Sequence, residues 1–368
     1  MLILRLAVQR SALFLSHLTP LLGIWTGGVV NVRGISVIAF CSTITSPGLQ
    51  QIGKQVRKMI IDFDDVRPTR AGLELVSAAL SLLTNLTDLT LMGLPSDNDG
   101  WILRGAPFSL DRFVTNLPLV SKDVLDFLAR QPNVTELGTT SPPPHTAQPQ
   151  PQGTYQYYPF PNHIAPRLTT LDCPAPFLLS LLAATPPTRP LTSLRVDLNR
   201  MHSLVEGDAL TALALFSGTV ERLSLRRSVL RTSPISDSMV AMNMASVISR
   251  VATKRHWPKL RFLEMRDGKY NSTTIPSLAQ SISTCFPHVE VLVWAPASHP
   301  AGSKVVAPFI ASIFFTFCRS LRRFVFLEDA SDLQNKKFVS VVKQEGGQCR
   351  GTSVDAEDVE NMWRSNTF

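Results

Sequence analysis

A short apolar phrase recurs along this chain, and its recurrence constrains the fold more than any other feature of the sequence. In each copy an apolar residue is followed three positions later by a second one, as in Leu86-Thr-Asp-Leu89-Thr-Leu91. Clear copies begin at Leu86, Leu168, Leu191, Val220, Leu260, Val289 and Leu321, and weaker copies begin at Val56, Leu110 and Val134. The copies start 23 to 40 residues apart, and most of them follow a stretch with helix-like apolar spacing. The chain is therefore built from repeated helix–strand units.

The period predicts the architecture. The intervals centre on the leucine-rich-repeat period, and prolines such as Pro132, Pro190 and Pro258 end a helix shortly before a strand. Because each helix returns the chain to the same edge, consecutive strands must be parallel. We expect an α/β leucine-rich-repeat solenoid (a horseshoe), with a parallel sheet on the concave face and helices on the convex face.

The composition divides the chain into three parts. Residues 1–50 are apolar and contain no acidic residue, residues 51–330 carry the repeats, and residues 331–368 form a C-terminal tail. A Pro/Gln-rich loop at 139–164 interrupts the repeats. In the tail, Val359 and Trp363 have the spacing of one helical face, which predicts a capping helix because terminal repeats are atypical.

Most of the excess positive charge lies in the first 61 residues. The formal net charge is +8, but residues 1–61 hold six basic residues and no Asp or Glu. The remaining residues carry 30 basic and 28 acidic side chains and are almost neutral. Phosphate binding needs a basic face on the folded body, so no nucleic-acid partner is expected.

No pattern of catalytic or metal-binding residues is found. The five cysteines are scattered without a close pair, which favours a reducing compartment over a disulfide framework or a zinc site. The segment Gly48–Lys54 has the spacing of a phosphate-binding loop, but Gln55 stands where Ser or Thr would hold magnesium. We therefore expect no enzyme activity, no catalytic residues, no metal and no cofactor, with nucleotide binding at Gly48–Lys54 as a remote alternative.

The strands predict one candidate binding surface. Side chains alternate along a strand, so the residues between the apolar anchors point to the concave face. This set supplies the candidate partner-binding residues Arg195, Arg222, Arg226, Phe262, Arg266 and Arg323. Guanidinium groups in such a stripe suit carboxylates or phosphates, although Asp197 and Glu264 lie in the same rows and suggest internal pairing. The alternative is an ordinary solvated face.

Several phrases resemble the repeat half of F-box/leucine-rich-repeat proteins of mushroom-forming fungi. The resemblance covers roughly residues 55–330 and is carried by the segments Leu83–Leu91, Phe127–Leu137, Arg167–Phe177, Arg189–Val196 and Trp257–Glu264. In that family an N-terminal F-box docks on a Skp-type adaptor of a cullin ubiquitin ligase while the repeats hold a substrate. The F-box pattern is not matched in residues 1–50, which are thus a cap, a degenerate F-box or a targeting segment.

The resemblance implies a protein-interaction function. We expect substrate recognition for a ubiquitin ligase, or a derivative that has lost adaptor docking. Its partners would be a Skp-type adaptor, a cullin and a protein substrate, and the chain would be monomeric and cytoplasmic or nuclear. The alternative is a membrane-anchored or organelle-targeted repeat protein that uses residues 11–32, which are free of Asp, Glu, Lys and Arg, as its anchor.

Overall fold

The chain folds into two compact units of mixed α/β structure. The computed structural model describes residues 25–26, 28–64, 66–140, 159–183, 189–198, 203–226, 248, 257–269, 272–298, 306–329, 337–344 and 349–364. Unit 1 comprises Met1–Pro151 and His163–Arg167, and unit 2 comprises Gln152–Asn162 and Leu168–Phe368. Residues 11–24 of the predicted anchor and residues 141–158 of the predicted Pro/Gln-rich loop lie outside the described residues.

Unit 1 is an open, mostly parallel sheet with helices between its strands. Strands β2 to β6 are parallel in sequence order, and β1 pairs antiparallel with β2. The strands are β1 (Trp25–Thr26), β2 (Val29–Arg33), β3 (Lys58–Asp62), β4 (Asp88–Met92), β5 (Arg112–Thr115) and β6 (Glu136–Thr139). The helices are α1 (Ser36–Thr45), α2 (Gln50–Gly53), α3 (Arg70–Leu80) and α4 (Lys122–Ala129), with a 3₁₀ turn at Asp99–Leu103.

Alternation of apolar and polar residues places the core of unit 1 on one side of its strands. Met59, Leu89, Phe113 and Leu137 are register partners on neighbouring strands, and all are fully buried. The buried side chain of Gln131 hydrogen-bonds the backbone of the segment before β5. Its amide accepts from the Leu110 N–H at 2.8 Å and donates to the Phe108 carbonyl at 3.1 Å. Such bonds satisfy backbone groups that no strand reaches.

Unit 2 repeats this organisation and then departs from it. Strands β7 to β12 are parallel in sequence order, whereas β13 and β14 continue the sheet antiparallel. The strands are β7 (Thr170–Pro174), β8 (Ser193–Asp197), β9 (Arg222–Arg226), β10 (Phe262–Lys269), β11 (Val291–Ser298), β12 (Arg323–Asp329), β13 (Lys337–Lys343) and β14 (Cys349–Val354). The helices are α5 (Ala175–Ala183), α6 (Ser203–Leu213), α7 (Ile275–Cys285), α8 (Ala307–Phe317) and α9 (Ala356–Met362).

The second face of the unit 2 sheet is covered. On β8 and β9 the first four residues of each strand are buried, whereas strands β3 to β5 of unit 1 alternate between buried and partly exposed residues. Val359 and Trp363 from the C-terminal segment pack against Phe262, Val293 and Val325 on this face, which explains the difference. Of the residues predicted to point to the concave face, Arg195, Arg222 and Phe262 are buried, and Arg226, Arg266 and Arg323 are partly exposed.

The prediction of a mixed α/β chain with a mostly parallel, open sheet is confirmed. The predicted tail at 331–368 does contain a helix, α9, at 356–362, but it also contributes β13 and β14. Strand pairing therefore continues past residue 330. Among the described residues, no helix is both long and apolar enough to cross a membrane.

Candidate functional site

The candidate site lies on the second face of the unit 2 sheet, where three arginines from three consecutive strands converge. Parallel pairing aligns Arg195 of β8, Ser224 of β9 and Glu264 of β10 in one row. Arg226 and Arg266 are partners in the next row along the strands. We call Arg195, Arg226, Arg266, Glu264 and the helix residue Glu360 the arginine cluster.

Glu360 of α9 is the focus of the cluster. Its Oε1 atom lies 2.7 Å from Nη1 of Arg195 and 2.7 Å from Nη2 of Arg226. Its Oε2 atom lies 2.7 Å from Nη2 of Arg266 and 2.8 Å from the same Arg226 nitrogen. One carboxylate from the C-terminal helix is thus bound by guanidinium groups of β8, β9 and β10.

Glu264 of β10 contributes a second carboxylate to the arginine cluster. Its Oε1 accepts from Arg266 Nε at 2.6 Å, and its Oε2 accepts from the Ser224 hydroxyl at 2.5 Å. Burial by itself would raise the pKa of Glu264, but Arg266, Arg226, Arg195 and the Ser224 hydroxyl outweigh it and lower the pKa to about 2. The carboxylate is therefore ionised although its side chain has no exposed surface.

Arg195 is the most enclosed member of the cluster. It is 2% exposed, and it also pairs with Asp172 of β7 at 3.3 Å. Its guanidinium carbon lies 4.1 Å from the centre of the Trp363 ring, a distance at which a cation and an aromatic face attract each other. Burial lowers the pKa of Arg195, against the effect of the carboxylates of Glu264, Asp172 and Glu360. Carboxylates and an aromatic ring together enclose this guanidinium.

Four of the six predicted partner-binding residues belong to the arginine cluster or to the apolar group beside it. The other two bond to serines on neighbouring strands. Arg195, Arg226 and Arg266 belong to the cluster, and Phe262 is fully buried in the apolar group around Trp363. Arg222 is buried and donates to the Ser193 hydroxyl at 3.2 Å. Arg323 donates to the Ser340 hydroxyl of β13 at 2.8 Å. The predicted internal pairing of Glu264 with arginines is observed.

The sequence interpretation missed Glu360 and Asp172. Glu360 lies beside Val359 and three positions before Trp363, so the helical spacing that was recognised for the apolar pair also places its carboxylate near the same face. No spacing rule links it to arginines 94 to 165 residues earlier in the chain.

In unit 1 the strand face carries a different charge pattern. Lys58, Asp88, Arg112 and Glu136 are register partners that alternate in sign across β3 to β6. Arg112 lies 2.7 Å from Asp88 and 2.9 Å from Glu136, and all three side chains are about one-fifth exposed. This ladder is an accessible polar surface whose charges are paired within it.

The described parts of the chain show neither a metal-binding group nor a phosphate-binding loop. Those residues contain no group of three or more His, Cys, Asp or Glu side chains that could hold a metal ion. The segment Gly48–Lys54 forms only the four-residue helix α2, whereas a phosphate-binding loop opens a long helix. The site therefore offers ionic and apolar recognition.

The sequence matches no protein-family model and no curated protein. Interpretation of the site rests on its geometry.

Proposed function

We propose that this chain is a non-catalytic leucine-rich-repeat protein that recognises other proteins through the strand face of a horseshoe-shaped solenoid. The parallel strands in sequence order, the buried apolar residue at the same register position of successive strands, and the helices between most strands support this architecture. In such an architecture the strand side chains form one continuous surface, which is suited to holding an extended or helical segment of a partner.

The arginine cluster is the observation that carries the proposal. The strand face of unit 2 already holds a helical segment by three guanidinium–carboxylate contacts and one stacked aromatic ring. Arginine and tryptophan are the residues that contribute most to binding in protein interfaces. The face thus has the chemistry of a protein-recognition surface, with a segment of the same chain in place.

The proposed biological role is substrate recognition of the F-box/leucine-rich-repeat kind. The partners would be a Skp-type adaptor, a cullin and a substrate protein, or a substrate alone in a derivative that has lost adaptor docking. This role rests on the resemblance of the repeat phrases.

Affinity purification of the tagged full-length chain, with mass spectrometry of the bound proteins, tests the proposal. Recovery of a Skp-type adaptor and a cullin would support the ligase role, and other reproducible partners without them would support a stand-alone binding protein. A purification that recovers no partner above the untagged control would contradict both. A deletion of residues 1–24, which leaves β1, β2 and α1 in place, shows whether adaptor recovery depends on that segment.

Two charge reversals locate the binding surface. Lys58→Glu alters the strand face, where the Lys58 side chain is 41% exposed, and Arg70→Glu alters helix α3, where the Arg70 side chain is 71% exposed. If the strand face binds the partners, Lys58→Glu should reduce their recovery and Arg70→Glu should not. Equal recovery with Lys58→Glu and loss with Arg70→Glu would place binding on the helix side instead.

A further inference from the structure

The C-terminal segment Asp355–Arg364 contacts the sheet through one of its two sides. Val359 and Trp363 are its fully buried residues, and Glu360 lies between them with its carboxylate in the arginine cluster. Ala356, Glu357, Asp358 and Asn361 on the other side are exposed. The segment follows β14, the last strand, and its described part ends at Arg364. It resembles a bound peptide: an apolar pair with Met362 beside it, a carboxylate in the arginine cluster, Arg364 at 4.0 Å from Asp172, and a solvated outer face.

The face beneath the segment would not be stable if it were left empty. Without α9, the strands would present the guanidinium groups of Arg195, Arg226 and Arg266 without the Glu360 carboxylate, beside an apolar surface formed by Phe262 and its neighbours. Glu264 and Asp172 would remain on the sheet, but three guanidinium groups would then share two carboxylates, and exposed apolar area favours any segment that covers it. Whatever replaces the segment must therefore supply both a carboxylate and a large apolar side chain.

One hydrogen-bond donor of Trp363 is not satisfied in the contact between α9 and the sheet. Its ring packs on Arg195 and fills the apolar group, but its indole N–H is buried and has no hydrogen-bond acceptor among the described residues. An unsatisfied buried donor weakens binding. The contact between this segment and its own sheet is thus weaker than a contact in which that N–H has an acceptor.

We propose that residues 355–364 are an intramolecular occupant of a partner site, and that the partner is an acidic amphipathic helix. The partner would present an aliphatic residue, an adjacent Glu or Asp and an aromatic residue three positions after the carboxylate, as Val359, Glu360 and Trp363 do. This inference rests on the proposed recognition function and adds to it a partner class and an autoinhibitory contact. Because the occupant is tethered, its effective concentration is on the order of millimolar, and a partner must outcompete it.

A severable tether tests the proposal on the full-length chain. A protease site inserted between Val354 and Asp355, where β14 ends and α9 has not begun, allows the segment to be cut after folding. The probe is a fluorescent synthetic peptide of residues 355–368, followed by anisotropy. We expect it to bind the cut protein at least about tenfold more tightly than the uncut protein, because the tethered segment competes in the latter.

Peptide variants test the chemistry of recognition. A Glu360→Gln peptide should bind the cut protein at least about tenfold more weakly, the effect of losing charge-assisted hydrogen bonds. A Trp363→Ala peptide should also bind more weakly, because it loses the ring that stacks on Arg195 and fills the apolar group. A scrambled peptide controls for composition and should not bind.

Four results would overturn the proposal: retention of the cut segment without exchange, unfolding of the cut protein by circular dichroism, equal peptide binding to cut and uncut protein, and equal binding of the Glu360→Gln peptide. The first two would make α9 a permanent structural element. None of them bears on partner recovery with Lys58→Glu, which is a unit 1 variant, so failure here remains distinct from failure of the proposed function.

Discussion

Glu264→Gln is the perturbation whose effect can be derived most directly from the structure. The two side chains have nearly the same shape, so the substitution removes a charge and leaves the packing intact. Glu264 is fully buried and contacts the guanidinium groups of Arg266, Arg195 and Arg226 at 2.6, 3.4 and 3.5 Å. Lowering its pKa from 4.5 to about 2 corresponds to roughly 3 kcal/mol of folding free energy at neutral pH. We expect the variant to lose about that amount, at the low end for a broken buried ion pair.

The same linkage predicts how the loss depends on pH. A carboxylate whose folded pKa is depressed stabilises the protein above its unfolded pKa, and this stabilisation disappears as the pH falls through the folded value. The difference between wild type and Glu264→Gln should therefore shrink from about 3 kcal/mol at pH 7 to about 2 kcal/mol at pH 3.5. Burial raises the pKa of Asp172, which works in the opposite direction but is present in both proteins.

Urea unfolding followed by tryptophan fluorescence measures this difference, since Trp363 stacks on the cluster and Trp257 and Trp294 are buried in the same unit. An unchanged slope with a lower midpoint would show that stability alone has changed. Glu290→Gln is the matched control: Glu290 pairs with Arg261 and Arg322 at 3.6 and 3.9 Å on the surface, so its loss should cost less than about 1 kcal/mol. Equal losses for the two variants, or a Glu264→Gln loss that stays constant down to pH 3.5, would refute the electrostatic account.

Three further predictions concern single positions. Gly93→Ala should destabilise the protein more than Gly105→Ala in thermal unfolding, because both residues have positive φ but only at Gly93 would the new methyl group meet neighbouring backbone atoms, at 2.9–3.0 Å. Gln131→Ala should cost about 2 kcal/mol in urea unfolding, since two buried backbone groups lose their partner. In alkylation at pH 8 followed by mass spectrometry, Cys349 should react in the native protein while Cys41, buried with its pKa raised to about 12, should react only after unfolding.

Most of the strands could be predicted from the sequence because the signal for them is local. Each apolar phrase leads into a strand: the phrase at Leu86 precedes β4 (Asp88–Met92), and the phrase at Val220 precedes β9 (Arg222–Arg226). The same holds for the weak copies at Val56 and Leu110. Alternation within five residues determines which side chains enter the core, and no distant part of the chain is needed to specify it.

The coverage of the second face could not be predicted in this way. Alternation shows that Arg195 and Arg266 leave the core face, but it does not distinguish a face in contact with water from a face covered by another segment. The covering segment follows two strands, β13 and β14, that pair antiparallel, since the connections at 330–336 and 344–348 are too short to hold a crossover helix. The repeat period fades in this region, so the strand register of the tail could not be predicted from it.

The ionic cluster determines the position of α9 more than it contributes to stability. An apolar pair such as Val359 and Trp363 would cover the face almost equally well if the helix shifted by one turn, because apolar contacts are not directional. Glu360 removes that freedom, since its carboxylate contacts Arg195, Arg226 and Arg266 on three different strands. A shift of about 5 Å, one helical turn, would separate all three pairs and leave Glu264 and Asp172 as the carboxylates beside three guanidinium groups. Buried ion pairs of this kind add little net stability over apolar residues, so register is their main physical effect. The same requirement would select among partners, because an apolar helix without the carboxylate would leave three cations with two carboxylates, those of Glu264 and Asp172.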